Sequence, residues 1–284
     1  MRQLLDDMVG LANSRDANGE YIFAGTATST QPFSDTGGSF TYNGDTGTRE
    51  VQLSPVRRVI NGDPGNKVFM EVLDGNGTFK VASNAANSGE QIIAPGSVID
   101  ATLFVPDTYT ISMIAPDGYE VRDSALALVG SGTYVDGEAI SFLGVETNIT
   151  GEHAVGDEFT ITPAAEQSIF DTYRNIINVV SDTNNVLNSN ADFHNAMNGE
   201  APALDQAFDR ILEIRTDVGA RLNVTESQMF IQQDLVLDYQ EALSAVNDLD
   251  YAEAISRFEL QNLSLQAAQQ SFAKIQQLSL FNYL

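Results

Sequence analysis

The sequence contains no cysteine and no tryptophan, and basic residues are few. Without cysteine, a disulfide framework, a zinc–thiolate centre and thiol chemistry are all excluded. Lysine and arginine number 14 against 39 aspartates and glutamates, a net charge of −25 over 284 residues. A surface of that sign repels nucleic-acid phosphates and anionic lipid, so neither nucleic acid nor membrane is an expected partner. No apolar run approaches the roughly 18 residues that a membrane-spanning helix needs. The opening Met1-Arg2-Gln3-Leu4-Leu5-Asp6-Asp7 lacks the apolar stretch of a secretory signal, so export is expected to proceed without a cleaved signal peptide.

Glycine and proline are scarce only in the second part of the chain. Residues 1–164 hold 20 of the 22 glycines and 7 of the 8 prolines, and the following 120 residues hold Gly199, Gly219 and Pro202. Dense turn residues predict short strands, and their absence predicts long helices. Tyr109, Ile111 and Met113 alternate with Thr108, Thr110 and Ser112. Phe159 and Ile161 alternate with Thr160 and Thr162, and Val51 and Leu53 with Glu50, Gln52 and Ser54. This period of two predicts half-buried strands. Asn43-Gly44, Asn61-Gly62, Asp63-Pro64-Gly65, Asn76-Gly77 and Asp117-Gly118 are the expected turns. Residues 37–163 are thus predicted to form an all-β module.

The later residues have a helical period. From Leu204, alternating steps of four and three reach Phe208, Ile211, Arg215, Val218, Leu222, Thr225, Met229, Gln232, Val236, Tyr239, Leu243 and Val246, and ten of these thirteen positions are apolar. Such heptads predict one long helix with a coiled-coil-like seam, about 65 Å in length at 1.5 Å per residue. Pro202 suits its first turn. The seam is expected to be core within the chain, which places Met229 and Leu243 in buried positions. Ile169, Tyr173, Ile176, Val180, Thr183 and Leu187 predict a shorter helix, and Leu4, Met8 and Leu11 another. Asp250 and Glu253 have capping-box spacing, so a last helix should begin at Tyr251. At 100° per residue Phe258, Leu265, Ala268, Phe272 and Ile275 share one of its faces, with Ile255 at the edge. Leu260, Leu263, Ala267 and Leu278 lie opposite. A helix apolar on two sides is built to be covered on two sides. The site residues expected to make an assembly interface are therefore Ile255, Phe258, Leu260, Leu263, Leu265, Phe272, Ile275 and Leu278, with Leu280, Phe281 and Leu284 beyond them.

Catalysis finds little support. His153 sits among turn residues and His194 in an Asn-rich link, neither at metal-ligand spacing. Asp205, Asp209, Glu213 and Asp217 recur every four residues, as a solvated acidic ridge does. Asp74-Gly75-Asn76-Gly77-Thr78 begins like a calcium loop but lacks the later glycine and bidentate glutamate, so a hairpin turn is expected. There is no glycine-rich phosphate loop. No catalytic residue, metal site or cofactor is assigned.

Three stretches resemble one family. Leu11-Ala12-Asn13-Ser14-Arg15-Asp16-Ala17-Asn18-Gly19-Glu20-Tyr21-Ile22-Phe23-Ala24-Gly25 resembles the end of the N-terminal helix of the flagellar hook–filament junction family, within the flagellin superfamily. Gly219-Ala220-Arg221-Leu222-Asn223 resembles the bend region of that superfamily's long C-terminal core helix. Asp250-Tyr251-Ala252-Glu253-Ala254-Ile255 and the ending Leu278-Ser279-Leu280-Phe281-Asn282-Tyr283-Leu284 resemble the family's terminal helix. Tyr42-Asn43-Gly44-Asp45 and Gly156-Asp157-Glu158-Phe159-Thr160 resemble pieces of its inserted outer domains.

The resemblance implies an α+β, flagellin-like fold: an elongated helical rod with an inserted all-β domain. Its parts would be 1–36, the end of the N-terminal rod helix plus a hairpin; 37–163, the outer domain; 164–248, the rod helices; and 249–284, the terminal helix of an inner tube. The family's first helix, and most of its second, have no counterpart here, which implies an N-terminally truncated member. The implied function is a structural adaptor in the extracellular bacterial flagellum, self-assembling into a ring between a hook-associated protein and flagellin. An export chaperone would act on the C-terminal region. The alternatives are flagellin itself, disfavoured by the Phe-Asn-Tyr-Leu ending, and a surface adhesin in which Tyr109, Tyr119 and Tyr134 stack on glycans.

Overall fold

Alternating apolar and hydroxyl residues give strands with one buried face, and a computed structural model shows where each face goes. It describes the chain apart from residues 182–186, 188, 248–249 and 278–284. A helix, α1 (Arg2–Ala12), leads into two ribbons, β1 (Phe33–Asp35) with β2 (Phe40–Tyr42) and β3 (Arg49–Ser54) with β4 (Arg57–Gly62). A π-helical turn at Asn66–Met70 precedes β5 (Val72–Leu73), β6 (Phe79–Ser83), β7 (Ile92–Ile93), β8 (Ser97–Val98), β9 (Tyr109–Ile114) and β10 (Gly118–Arg122). Then come β11 (Leu128–Thr133), β12 (Ala139–Phe142), β13 (Val145–Thr150), β14 (Glu158–Pro163) and β15 (Glu166–Gln167). Four helices complete the order: α2 (Ile169–Ser181), α3 (Asn190–Glu200), α4 (Pro202–Asn247) and α5 (Tyr251–Gln277). The fold is α+β. The chain divides into two units, Met1–Thr225 and Glu226–Leu284.

In the first unit, an antiparallel five-stranded sheet runs β11-β10-β9-β14-β6, and a smaller sheet runs β12-β13-β7 with β8 also on β13. Tyr109, Ile111 and Met113 of β9 and Phe159 and Ile161 of β14 are buried, as their alternation predicts. They share a core with Phe79, Ile93, Val145 and Ile149. This β body enters and leaves at one point. The Asp74 N–H donates to the Ala165 carbonyl at 2.9 Å, and the Ala165 N–H donates to Asp74 Oδ1 at 2.8 Å. Residue 37 instead lies inside the β1–β2 ribbon, where Phe33 pairs with Tyr42. That ribbon packs Phe33 and Phe40 on Phe170 of α2, with ring centroids 5.2 and 5.1 Å away.

Helix α3 docks on the β body through Asn195, which is 3% exposed. Its Oδ1 accepts the Ile93 N–H at 2.8 Å and its Nδ2 donates to the Gln91 carbonyl at 2.9 Å. The side chain thus takes the place of a neighbouring strand beside β7. A Cβ on Gly199 would meet the Val81 carbonyl oxygen at 2.6 Å, so only glycine allows this approach of α3 to β6.

Several local readings need correction. The face that α1 buries carries Leu5 and Ala12 with Met8 and Val9, while Leu4 and Leu11 are exposed. These six apolar positions make two overlapping stripes that share Met8, and the aromatic cluster selects the one that includes Ala12. Helix α2 buries Ile169, Phe170, Ile176 and Ile177 but leaves Val180 half exposed; Leu187 is not helical, and Thr183 lies outside the described residues. Asn61-Gly62 ends β4 rather than turning the chain; the turn between β3 and β4 is at Pro55-Val56. Val51 is exposed although it sits in a strand, because the β3–β4 ribbon is a separate two-stranded sheet. Asp74–Thr78 is a turn, closed by Gly77 N–H to Asp74 O at 3.1 Å, but not a hairpin, since β5 pairs with β15 and β6 with β14.

In the second unit, the remainder of α4 and helix α5 bury no described side chain. Met229 and Leu243, expected as core, are 48% and 60% exposed. Apolar periodicity records what a helix is made to be covered by, and among the described residues this part of α4 has no buried side chain.

Candidate assembly surfaces

The Leu11–Gly25 stretch is a self-bonded loop that fixes the end of α1. Asn13 pairs with Phe33 as a strand would, accepting its N–H at 2.9 Å and donating to its carbonyl at 3.0 Å. Arg15 lies 4.2 Å over the Tyr21 ring and donates to its hydroxyl at 2.7 Å. Asp16 Oδ1 accepts the N–H groups of Asn18 and Glu20 at 2.8 and 3.0 Å, and the Glu20 bond above all holds this carboxyl below the usual carboxylate range. Gly25 has φ +69°, and a Cβ there would lie 2.3 Å from the Asp45 carbonyl oxygen. Asp45 in turn accepts from the Thr26 hydroxyl and, at 2.7 and 2.9 Å, from the N–H groups of Thr26 and Gly47, so its carboxyl titrates low.

The Gly219–Asn223 stretch also has a visible role. Arg221 pairs with the buried Asp63, whose other oxygen is 3.4 Å from Lys67 Nζ. Arg210 donates twice to the Lys67 carbonyl, at 2.9 and 2.8 Å. These bonds fasten the turn after β4 to the first part of α4.

Helix α5 begins at Tyr251 as its cap predicts. Asp250 Oδ1 accepts the N–H groups of Ala252 and Glu253 at 2.9 and 3.1 Å. Ile255, Phe258, Leu260, Leu263, Leu265, Phe272 and Ile275 are exposed on both faces, from 57% at Leu265 to 66% at Ile275. The structure groups them only by helical periodicity, with no contact to a core. Leu278, Leu280, Phe281 and Leu284 lie outside the described residues. The periodicity of α4 did not single out Phe230 and Leu237, which fall off the heptad seam and are 61% and 57% exposed. Exposed apolar area of this extent makes these faces candidates for an interaction surface.

The remaining candidates are structural. His153 Nε2 lies 3.1 Å from the Gly118 carbonyl and its ring packs on Tyr134, while His194 packs on Phe193. Among the described residues no cluster of three potential metal ligands occurs. Tyr109 and Tyr134 are core residues. Their hydroxyls donate to the carbonyls of Val105 at 2.6 Å and Gly151 at 2.5 Å, and burial pushes both phenols up from their ordinary range. Neither ring can stack on a glycan. The ridge residues Asp205, Asp209, Glu213 and Asp217 are exposed, with Glu213 on Arg210 and Asp217 near Lys67.

Helices that leave apolar faces open, in one chain with an antiparallel β body, define an α+β protein with surface left for other chains. The bacterial flagellin C-terminal helical region matches residues 202–284. FlgL from Xanthomonas campestris superposes with a TM-score of 0.78 at 32% identity, over 86% of this chain and 79% of that one. Flagellar hook-associated protein 3 from Legionella pneumophila does so with 0.79 at 30% identity, over 88% and 80%. The chain belongs to the FlgL, or flagellar hook-associated protein 3, family. It is 25% identical over 278 residues to flagellar hook-associated protein 3 of Escherichia coli, of whose length it spans 62%.

Proposed function

We propose that this chain is a structural subunit of the bacterial flagellum that joins hook to filament. The observation that carries this reading is α5, apolar on two opposed faces and covered on neither, in a chain of the FlgL family. Copies assemble into a ring, with one edge on a hook-associated protein and the other on flagellin. Residues 249–284 form the inner tube, where neighbouring subunits bury both faces of α5. The helices of residues 164–248 surround it, and the β body, bounded at Asp74 and Ala165, projects outward. The protein works outside the cell and is escorted during export by a chaperone bound to the C-terminal region. Its work is packing rather than catalysis. Complementation tests this: the gene encoding the chain should restore filaments to a strain that makes hooks but sheds flagellin. Hooks that stay bare while the protein is stably made and exported would overturn it.

A further inference from the structure

The strongest unassigned feature of the first unit is an apolar groove of about 740 Å³ between the β3–β4 ribbon and α4. Val51, Val59 and Ile60 line it from the ribbon, and Ile214, Val218 and Leu222 from the helix. Its charged members are Asp63 and Arg221, paired with each other, and Arg215, which has no acidic partner among the described residues. The start of β4 adds Arg57, also without one among the described residues, and Arg58, whose nearest carboxylate oxygen, on Glu50, is 3.7 Å away. In a chain of net charge −25, this groove is a locally basic place. It suits an apolar segment that carries acids and no bases.

The chain contains such a segment. From Leu222 to Ser256 there is no lysine or arginine. Glu226, Phe230, Asp234, Leu237 and Glu241, spaced four, four, three and four, fall on one face of α4 within about 80° of arc. Phe230 and Leu237 stand exposed between carboxylates. This stripe lies about a third of a turn from the seam of Met229, Val236 and Leu243, so covering the seam leaves the stripe open.

We propose that this stripe of a second copy of the chain occupies the groove. Phe230 and Leu237 enter the apolar lining, as anchors of a helix in a groove do, and the three carboxylates meet Arg57, Arg58 and Arg215. The choice of a second copy rests on the reading above that copies assemble. Groove and stripe are different surfaces, so the contact is head-to-tail, and each copy that accepts a stripe presents its own to the next.

The absence of cysteine makes the test direct. Val59→Cys, in the groove, and Gln233→Cys, beside the stripe, are made as separate proteins, mixed and oxidised, and the mixed disulfide is identified by mass. It should form between the two variants and vanish when Phe230→Asp is added to the stripe chain. Arg215→Glu in the groove chain should lower its yield about fivefold, and Asp234→Arg in the stripe chain should restore it. Both are exposed positions, so folding is preserved. No mixed disulfide at several hundred micromolar protein, a yield indifferent to Phe230→Asp, or preferential Gln233→Cys homodimers would overturn the contact. Filaments restored by a gene carrying Phe230→Asp would also overturn it while leaving the junction reading intact. Failure of the unaltered gene would count against that reading instead.

Discussion

Replacing Phe258 with alanine should have opposite effects on the free subunit and on the assembly. In the dilute chain the ring is 61% exposed, so its removal forfeits little burial. Alanine is the better helix former by about half a kcal/mol, and an unpacked helix of this length is marginal, so α5 should become slightly more ordered. In the assembly, a neighbour that covers the ring removes the remaining three-fifths of its surface from water. Full burial of such a side chain is worth about 1.5–3 kcal/mol, so that share is about 1–2 kcal/mol per site, or roughly a 5- to 30-fold loss in association. Hydrogen exchange by mass spectrometry reads both states. In the dilute chain, the amides of α5 should exchange fast in the parent and slightly more slowly in Phe258→Ala. In the hook-bound ring they should be strongly protected in the parent and less so in the variant. Strong protection of Phe258–Ile275 in the dilute parent, or faster exchange there on substitution, would refute the reasoning, because the ring would already have its cover within one chain.

Other outcomes follow from particular contacts. Asn195→Ala should destabilise the β body by about 2–4 kcal/mol in urea unfolding followed by tyrosine fluorescence, since it leaves the buried Ile93 N–H and Gln91 carbonyl unpaired. Arg221→Ala should cost about 3 kcal/mol by the same assay, because Asp63 is buried and Lys67 is its remaining partner. Ile161→Ala, at a fully buried position, should cost about 2–5 kcal/mol, whereas Leu243→Ala in the same chain should stay within about 0.5 kcal/mol. Asp45, held low mainly by the Thr26 hydroxyl, contributes stability that is present above the unfolded carboxylate value near 3.9 and is lost as pH falls through its lower folded value. Its NMR titration midpoint should therefore lie below 3.9, and that of the Thr26→Val variant should move up toward it. Residues 74–165 alone should show a β circular-dichroism spectrum, because their two ends are bonded to each other.

The sequence announced its strands better than its interfaces. Period-two alternation identified the buried faces of β9 and β14 because both are inner strands of one sheet and only one face has core to meet. The same pattern at Val51 and Leu53 predicted a strand correctly, but Leu53 is half-buried and Val51 exposed, since alternation does not say whether a second layer exists. The Pro55-Val56 turn carries no glycine or asparagine and so gave no signal, while Asn61-Gly62 gave one inside a strand. Asn195 was illegible for another reason. An asparagine that completes the edge of β7 has meaning only once Ile93, about a hundred residues earlier, is known to lie beside it. Helix α5 is read as two-sided from spacing alone, and among the described residues both of its apolar faces are exposed. The Phe230–Leu237 stripe is overlooked because the heptad seam, a third of a turn away, already accounts for one continuous apolar face of the helix.

If copies of the chain assemble as proposed, charge accounts for how so much open apolar surface would stay apart beforehand. Among the described residues nine of the 14 basic side chains are in ion pairs within the subunit, so most of the 39 acids have no base beside them. Two copies meeting at random bring like charges together, and this repulsion opposes non-specific collapse of the exposed α4 and α5 faces. Association wins only where apolar area is buried in register, or where the surplus acids of one copy meet the few unpaired bases of another. Arg57 and Arg215 are two of those bases, and both belong to the groove and its ribbon. On the proposed contact, the acid excess, which first reads as a barrier to packing many copies, would select the geometry in which they pack.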